Sequence, residues 1–141
     1  MKKFLLIACG LVLFMGCDNT VEKFHANKEI SVSTQSWYYD VNELIVITVV
    51  NNTEETVVLY GCNSDVFYYR DKLTDEGWKQ WTQLSCGVLG VLTGVELQSQ
   101  SIVVDTINVR KPGTYRFRIP VMKNGDPNQM EMIYSNAFTI E

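Results

Sequence analysis

Cys9, Cys17, Cys62 and Cys86 are the thiols of this 141-residue chain, and His25 is its one imidazole. A nucleophilic thiol needs a base beside it, and a zinc site needs about four ligands. His25 sits in the polar stretch Asp18 to Lys28, far along the chain from Cys62 and Cys86. A lone His in such a stretch is expected to be solvated. The acid pairs Glu54-Glu55 and Asp75-Glu76 fall among turn-forming residues, where charges are solvated rather than convergent. The Gly-rich run Cys86 to Gly94 lacks the Lys and hydroxyl ending of a phosphate loop. We therefore expect no catalytic residues, no metal site and no cofactor.

Charge excludes another class. Twelve basic and sixteen acidic side chains leave a formal net charge of −4. Arg110-Lys111, with Arg116 and Arg118 beyond, is the nearest thing to a basic cluster. Nucleic acid is not an expected partner. What remains are binding candidates. Trp78 and Trp81 lie three apart on an aromatic stretch that also holds Phe67, Tyr68 and Tyr69. On a strand they face opposite sides, so one is expected to pack inward and the other to be available for stacking on a sugar or protein. The apolar loop with Val88, Leu89, Val91 and Leu92 either meets a partner or folds back over the domain. Trp78, Trp81, Leu89 and Leu92 are the candidate partner-binding residues, and the hairpin and the loop that carry them each have a plain packing alternative.

The elements that must position these residues read as strands. Glu43–Asn51 is β-branched and apolar on both faces, as a central strand requires. Glu29–Gln35, Thr56–Gly61, Val66–Arg70, Gly77–Leu84 and Ser101–Val109 are further strands, separated by turn clusters. Thr74-Asp75-Glu76-Gly77 is a turn with Gly where positive φ is needed. After Lys111-Pro112-Gly113, Tyr115, Phe117 and Ile119 alternate with Arg116 and Arg118, predicting aromatic side chains inward and arginines outward. "MEMIY" and Ser135–Glu141 close the chain. About seven strands without helical periodicity predict an all-β antiparallel sandwich over residues 29–141, with a closed barrel as the alternative.

The first sixteen residues have another layout. Lys2 and Lys3 precede the apolar run Phe4 to Met15, which ends on Gly16. That is the anatomy of an export signal, too short for a lasting membrane span of about 20 residues. "FMGC", Phe14 to Cys17, resembles the lipobox of bacterial lipoproteins. The resemblance implies cleavage before Cys17, acylation there, and a tether over residues 17–28. The alternatives are an unlipidated signal or an uncleaved anchor. Acyl chains contribute about 0.8 kcal/mol per buried methylene, enough for several to hold a small domain at the bilayer. Asp18 resembles the inner-membrane retention signal of enteric-type lipoproteins. The expected location is the cell envelope, outside the cytoplasmic membrane.

The strand order resembles bacterial Ig-like domains. "VVNNTEETVVLYGC", the aromatic hairpin with Trp78, "SCG", "GTYRFRI" and "SNAFTI" carry the resemblance in sequence order. It places Tyr115 at a strand-end corner. Where that family commonly has Pro-Gly before its "SIVV"-type strand, this chain has Gln98-Ser99-Gln100. With Cys9 removed and Cys17 acylated, only Cys62 and Cys86 remain. In an oxidising compartment they are expected to form a disulfide closing the aromatic hairpin. Together these resemblances imply a membrane-anchored, non-catalytic binding or structural module with an envelope protein or glycan partner. A proteinase-inhibitor-like module is the alternative, presenting Leu73–Gly77 or the loop after Cys86.

Overall fold

Ile45, Ile47 and Val49 alternate with Val46, Thr48 and Val50, so a strand here turns one row inward. The computed structural model describes residues 29–62, 65–82, 92–123 and 125–141, and it buries that inward row completely. Twelve strands form among the described residues. They are β1 (Ile30–Thr34), β2 (Tyr38–Tyr39), β3 (Leu44–Asn51), β4 (Val57–Cys62), β5 (Asp65–Val66) and β6 (Tyr69–Thr74). Then come β7 (Gly77–Thr82), β8 (Leu92–Leu97), β9 (Ser101–Asn108), β10 (Gly113–Lys123), β11 (Met130–Tyr134) and β12 (Phe138–Ile140).

Two sheets share the core. The smaller has the order β1-β3-β9, all antiparallel, with Val32 opposite Val49 and Ile45 opposite Ile107. The larger is organised by β10. One edge of β10 meets β12 and then β11, and the other meets β6 and then β4. β8 and β5 add to β4, β7 adds to β6, and β2 runs parallel to β12. The fold is an all-β sandwich of Ig-like order. β1, β3 and β9 take the places of strands A, B and E, facing β4, β10 and β12 as C, F and G.

The alternation on β10 holds in space. Tyr115, Phe117 and Ile119 are buried, with Phe117 stacked on Phe138 at 5.1 Å between ring centroids. The Tyr115 hydroxyl donates to the Lys111 carbonyl at 2.9 Å and approaches that of Pro112 at 3.3 Å. This is the strand-end corner of Ig-like sandwiches. It fixes the path of the β9–β10 connection, which also lines the cleft described below.

Three elements differ from the sequence reading. Val66–Arg70 is not one strand. Phe67 and Tyr68 are both buried, which successive strand residues cannot be with only one face covered, and the chain crosses there from β5 to β6. Strand β3 is central in its sheet, but its second apolar row faces outward, with Leu44 60% exposed. A single turn of 3₁₀ helix, Pro127–Gln129, precedes β11, capped by the Asp126 carboxylate accepting from the Asn128 amide at 2.8 Å.

The Gln98–Gln100 turn is held without Pro-Gly. Gln100 takes a left-handed φ of 54°, which costs a non-glycine residue. Its side-chain amide donates to the Asn52 and Thr53 carbonyls at 2.7 and 3.2 Å, and Ser99 Oγ donates to Thr53. Beneath it, fully buried Asn51 donates through Nδ2 to the carbonyls of Glu55, Leu97 and Gln98. Asn51 Oδ1 accepts from the Thr53 amide and hydroxyl. One side chain thus ties the β3–β4 turn to the β8–β9 turn.

Candidate ligand-binding face

The β6–β7 hairpin presents the aromatic residues that the sequence singled out. Its tip closes through Gly77, at φ 98°, with Thr74 Oγ1 donating to the Gly77 carbonyl at 2.8 Å. Down the hairpin Leu73 pairs with Trp78 and Asp71 with Gln80, but Arg70 pairs with Thr82. Trp81 is therefore the extra residue of a bulge, a device that re-aims side chains.

Trp78 and Trp81 do lie on opposite faces, and neither enters the core. Trp78 is half-buried on the outward face, where the Arg116 guanidinium lies 4.5 Å from its ring centroid. The same guanidinium lies 4.2 Å from the Tyr134 ring. Arg118 follows, 5.0 Å from the Tyr69 ring and donating to Gln80 Oε1 at 2.8 Å. Between the arginines is Asp71, its side chain 7% exposed, 3.3 Å from Arg116 Nε and 3.6 Å from Arg118. The outward face is thus a ladder of cations and rings neutralised at one point. Cation–π contacts of this kind hold a side chain in place as well as attract it.

Trp81 is 41% exposed and lies on the same side as Lys72, whose ammonium is 4.7 Å from the ring centroid. Lys111 approaches the ring at 5.4 Å. Lys72 reaches this position across Gly113, where a Cβ would stand 2.6 Å from Lys72 Cε, and donates to the Pro112 carbonyl. Here the hairpin and the β9–β10 connection enclose a cleft of about 460 Å³ lined by Arg70, Trp81, Asn108, Val109, Arg110 and Lys111. Arg70 Nε is buried without a hydrogen-bond partner among the described residues, and burial lowers the guanidinium pKa. Sequence reasoning noted Arg110-Lys111 but missed Arg70, because a sheet register brings it there from forty residues away.

A second hollow of about 380 Å³ has Glu29, Lys123 and Glu131 on its wall. Lys123 bridges both carboxylates, at 3.4 and 3.7 Å, and the acids are 77% and 61% exposed. Solvated carboxylates bridged to a cation pair charge; they lack the desolvation that fits a carboxyl for proton transfer. Glu76 at the hairpin tip is likewise bridged to Lys79 at 3.2 Å, and Glu54 and Glu55 are exposed.

Cys62 ends β4, opposite Asp65 on one side and Leu92 on the other. Cys17, His25, Cys86, Val88, Leu89 and Val91 lie outside the described residues. Leu92 begins β8.

No family model matches this chain, and no curated protein matches it. Among solved structures, the chain is similar to a Pseudomonas fluorescens alkylpurine DNA glycosylase, AlkC, bound to DNA with an abasic-site analogue. The identity there is 13% and the TM-score 0.41, over 86% of this chain and 33% of that one. It is also similar to the CARDB domain of a Pyrococcus furiosus protein, at 14% identity and TM-score 0.36, over 79% of this chain and 94% of that one. A PapD-like domain of human CEP192 is similar at 12% identity and TM-score 0.41, over 80% and 84% of the two chains. This chain spans a third of the glycosylase's length.

Proposed function

We propose that this chain is a lipoprotein of the bacterial envelope, held by acyl groups on Cys17 outside the cytoplasmic membrane. Its Ig-like sandwich serves as a non-catalytic binding module, akin to bacterial Ig-like domains. The observation that carries the anchor is the run from Lys2-Lys3 through Phe4–Met15 into Phe14-Met15-Gly16-Cys17. A short charged start, an apolar middle and a small residue before cysteine match what export and acylation require.

The exposed ladder and cleft of the β6–β7 hairpin support the binding role. Rigid aromatic rings with cations beside them suit recognition of a polar ring or an acidic surface. The oxidising compartment fits the cysteines as well. After cleavage before an acylated Cys17, Cys62 and Cys86 are the two cysteines left to pair there. In the chain-entropy view, closing that loop contributes about 3 kcal/mol.

Incorporation of labelled fatty acid tests the anchor. Wild type should take up label and Cys17→Ala should not. Equal label in both would refute acylation at Cys17.

A further inference from the structure

We propose that the cleft between the β6–β7 hairpin and the β9–β10 connection binds a sugar acid or sugar phosphate, through its oxyanion and its ring. The proposal deepens the binding-module reading; it needs the sandwich but not the lipid anchor.

Charge is the first argument. Arg70, Arg110 and Lys111 line the cleft with no carboxylate among the described residues of its wall, in a chain of net charge −4. Among the described residues no acid pairs with any of the three. On the outward face, by contrast, the hairpin places Asp71 between Arg116 and Arg118 of β10. The cleft's cations are therefore left without a carboxylate, while the two arginines on the opposite face share one.

The second argument is the state of Arg70. Its Nε–H is buried and makes no hydrogen bond among the described residues. A guanidinium carries five donors in a planar fork that suits a carboxylate or phosphate. A buried donor without an acceptor is destabilising until one arrives. Arg70 lines the cleft, so an oxyanion bound between it and the β9–β10 connection meets the guanidinium there.

The third is Trp81. The bulge holds this ring at the cleft mouth, 41% exposed, with Lys72 4.7 Å from its centroid. An apolar ring beside fixed cations accepts a flat ligand that carries negative charge. The volume, about 460 Å³, lies in the range of small-molecule sites. Five of the six lining side chains are polar, charged or amphipathic, and only Val109 is aliphatic. That wall suits a hydroxylated ligand rather than a lipid tail.

The test uses the full chain in a nonionic, sugar-free detergent. Glucuronate, glucose 6-phosphate, inorganic phosphate and glucose are titrated by calorimetry and tryptophan fluorescence. Both anionic sugars should bind saturably, inorganic phosphate about tenfold more weakly, and glucose not at all. Arg110→Glu, at an exposed position, should weaken the anionic sugars about tenfold or more while leaving the circular dichroism unchanged. Trp81→Ala should bring their affinity down to that of phosphate. Absence of saturable binding by either anionic sugar, equal affinity for glucose or for phosphate, or an unaffected Arg110→Glu protein would each overturn the proposal. Fatty-acid labelling at Cys17 reads out separately, so loss of the anchor and loss of the site are distinguishable.

Discussion

Arg116 Nε on β10 donates to Asp71 Oδ2 on β6 at 3.3 Å, between residues that stand directly opposite in the sheet register. The bond fixes the guanidinium where Trp78 and Tyr134 flank it. Asp71 also serves Arg118. Replacing it removes the carboxylate both arginines share and leaves two partly buried cations facing each other.

Asp71→Asn should therefore destabilise the domain by about 2 kcal/mol, because breaking a largely buried pair leaves uncompensated charge. Urea unfolding measures this. In a double-mutant cycle with Arg116→Met, the paired loss should be smaller than the sum of the single losses. Strict additivity would show that the pair is not coupled.

Tyr115→Phe deletes the hydroxyl that caps the Lys111 carbonyl while keeping the buried ring. A loss of about 1 kcal/mol is expected. The exchange of backbone amides around Lys111 to Gly113 should speed up more than that of the β3 amides, because the corner opens locally.

Asn51→Leu should cost more, about 3 kcal/mol. Three carbonyls and the Thr53 amide lose their partner in a fully buried place. Unfolding midpoints in urea test it, and a loss below that of Tyr115→Phe would contradict the hub role.

Much of the sandwich was legible because sheets with one covered face impose a period of two. Ile45, Ile47 and Val49 on β3, and Tyr115, Phe117 and Ile119 on β10, announce their faces by alternation alone. The positive φ of Gly77 was legible for a similar local reason, a glycine at a tight turn. Long-range register was not. Nothing near Arg70 signals that it will stand opposite Thr82 and share a cleft with Arg110, and nothing near Trp81 signals a bulge. Asn51 read as the polar end of an apolar strand, because its five hydrogen bonds come from turns brought together only by folding. The break at Phe67-Tyr68 was hidden because an aromatic run suits either one strand or a crossing.

Alkaline pH should weaken the fold through Tyr68. Burial first, and the Asp105 charge second, raise its pKa above the ordinary tyrosine value. Among the described residues no atom meets strict hydrogen-bond geometry at that hydroxyl, while the nearby Asp105 carboxylate opposes its ionisation by charge and by a looser hydrogen bond. The unfolded chain ionises near pH 10; the folded one does so at higher pH. The contribution is thus fully present below about pH 10 and is lost as pH rises beyond it. Tyr68→Phe should flatten the fall in stability above about pH 10. At neutral pH it should be neutral or slightly stabilising, since an unsatisfied buried hydroxyl is removed.

Gly77→Ala meets no atom within 4 Å, so its cost is backbone strain alone, about 1 kcal/mol. Gly113→Ala should cost more and should also displace Lys72 from the Trp81 ring, because the added Cβ collides with the lysine stem. Thermal unfolding together with Trp81 fluorescence separates the two effects.

The central claim is that the mature chain begins at an acylated Cys17 and is exported into an oxidising space. Intact mass of the membrane-extracted protein tests it most directly, before and after reduction. The account predicts a chain starting at Cys17, heavier by its acyl groups, that gains the mass of two hydrogens when reductant opens Cys62–Cys86. A chain that retains Met1–Gly16, carries no acyl mass and gains nothing on reduction would contradict it.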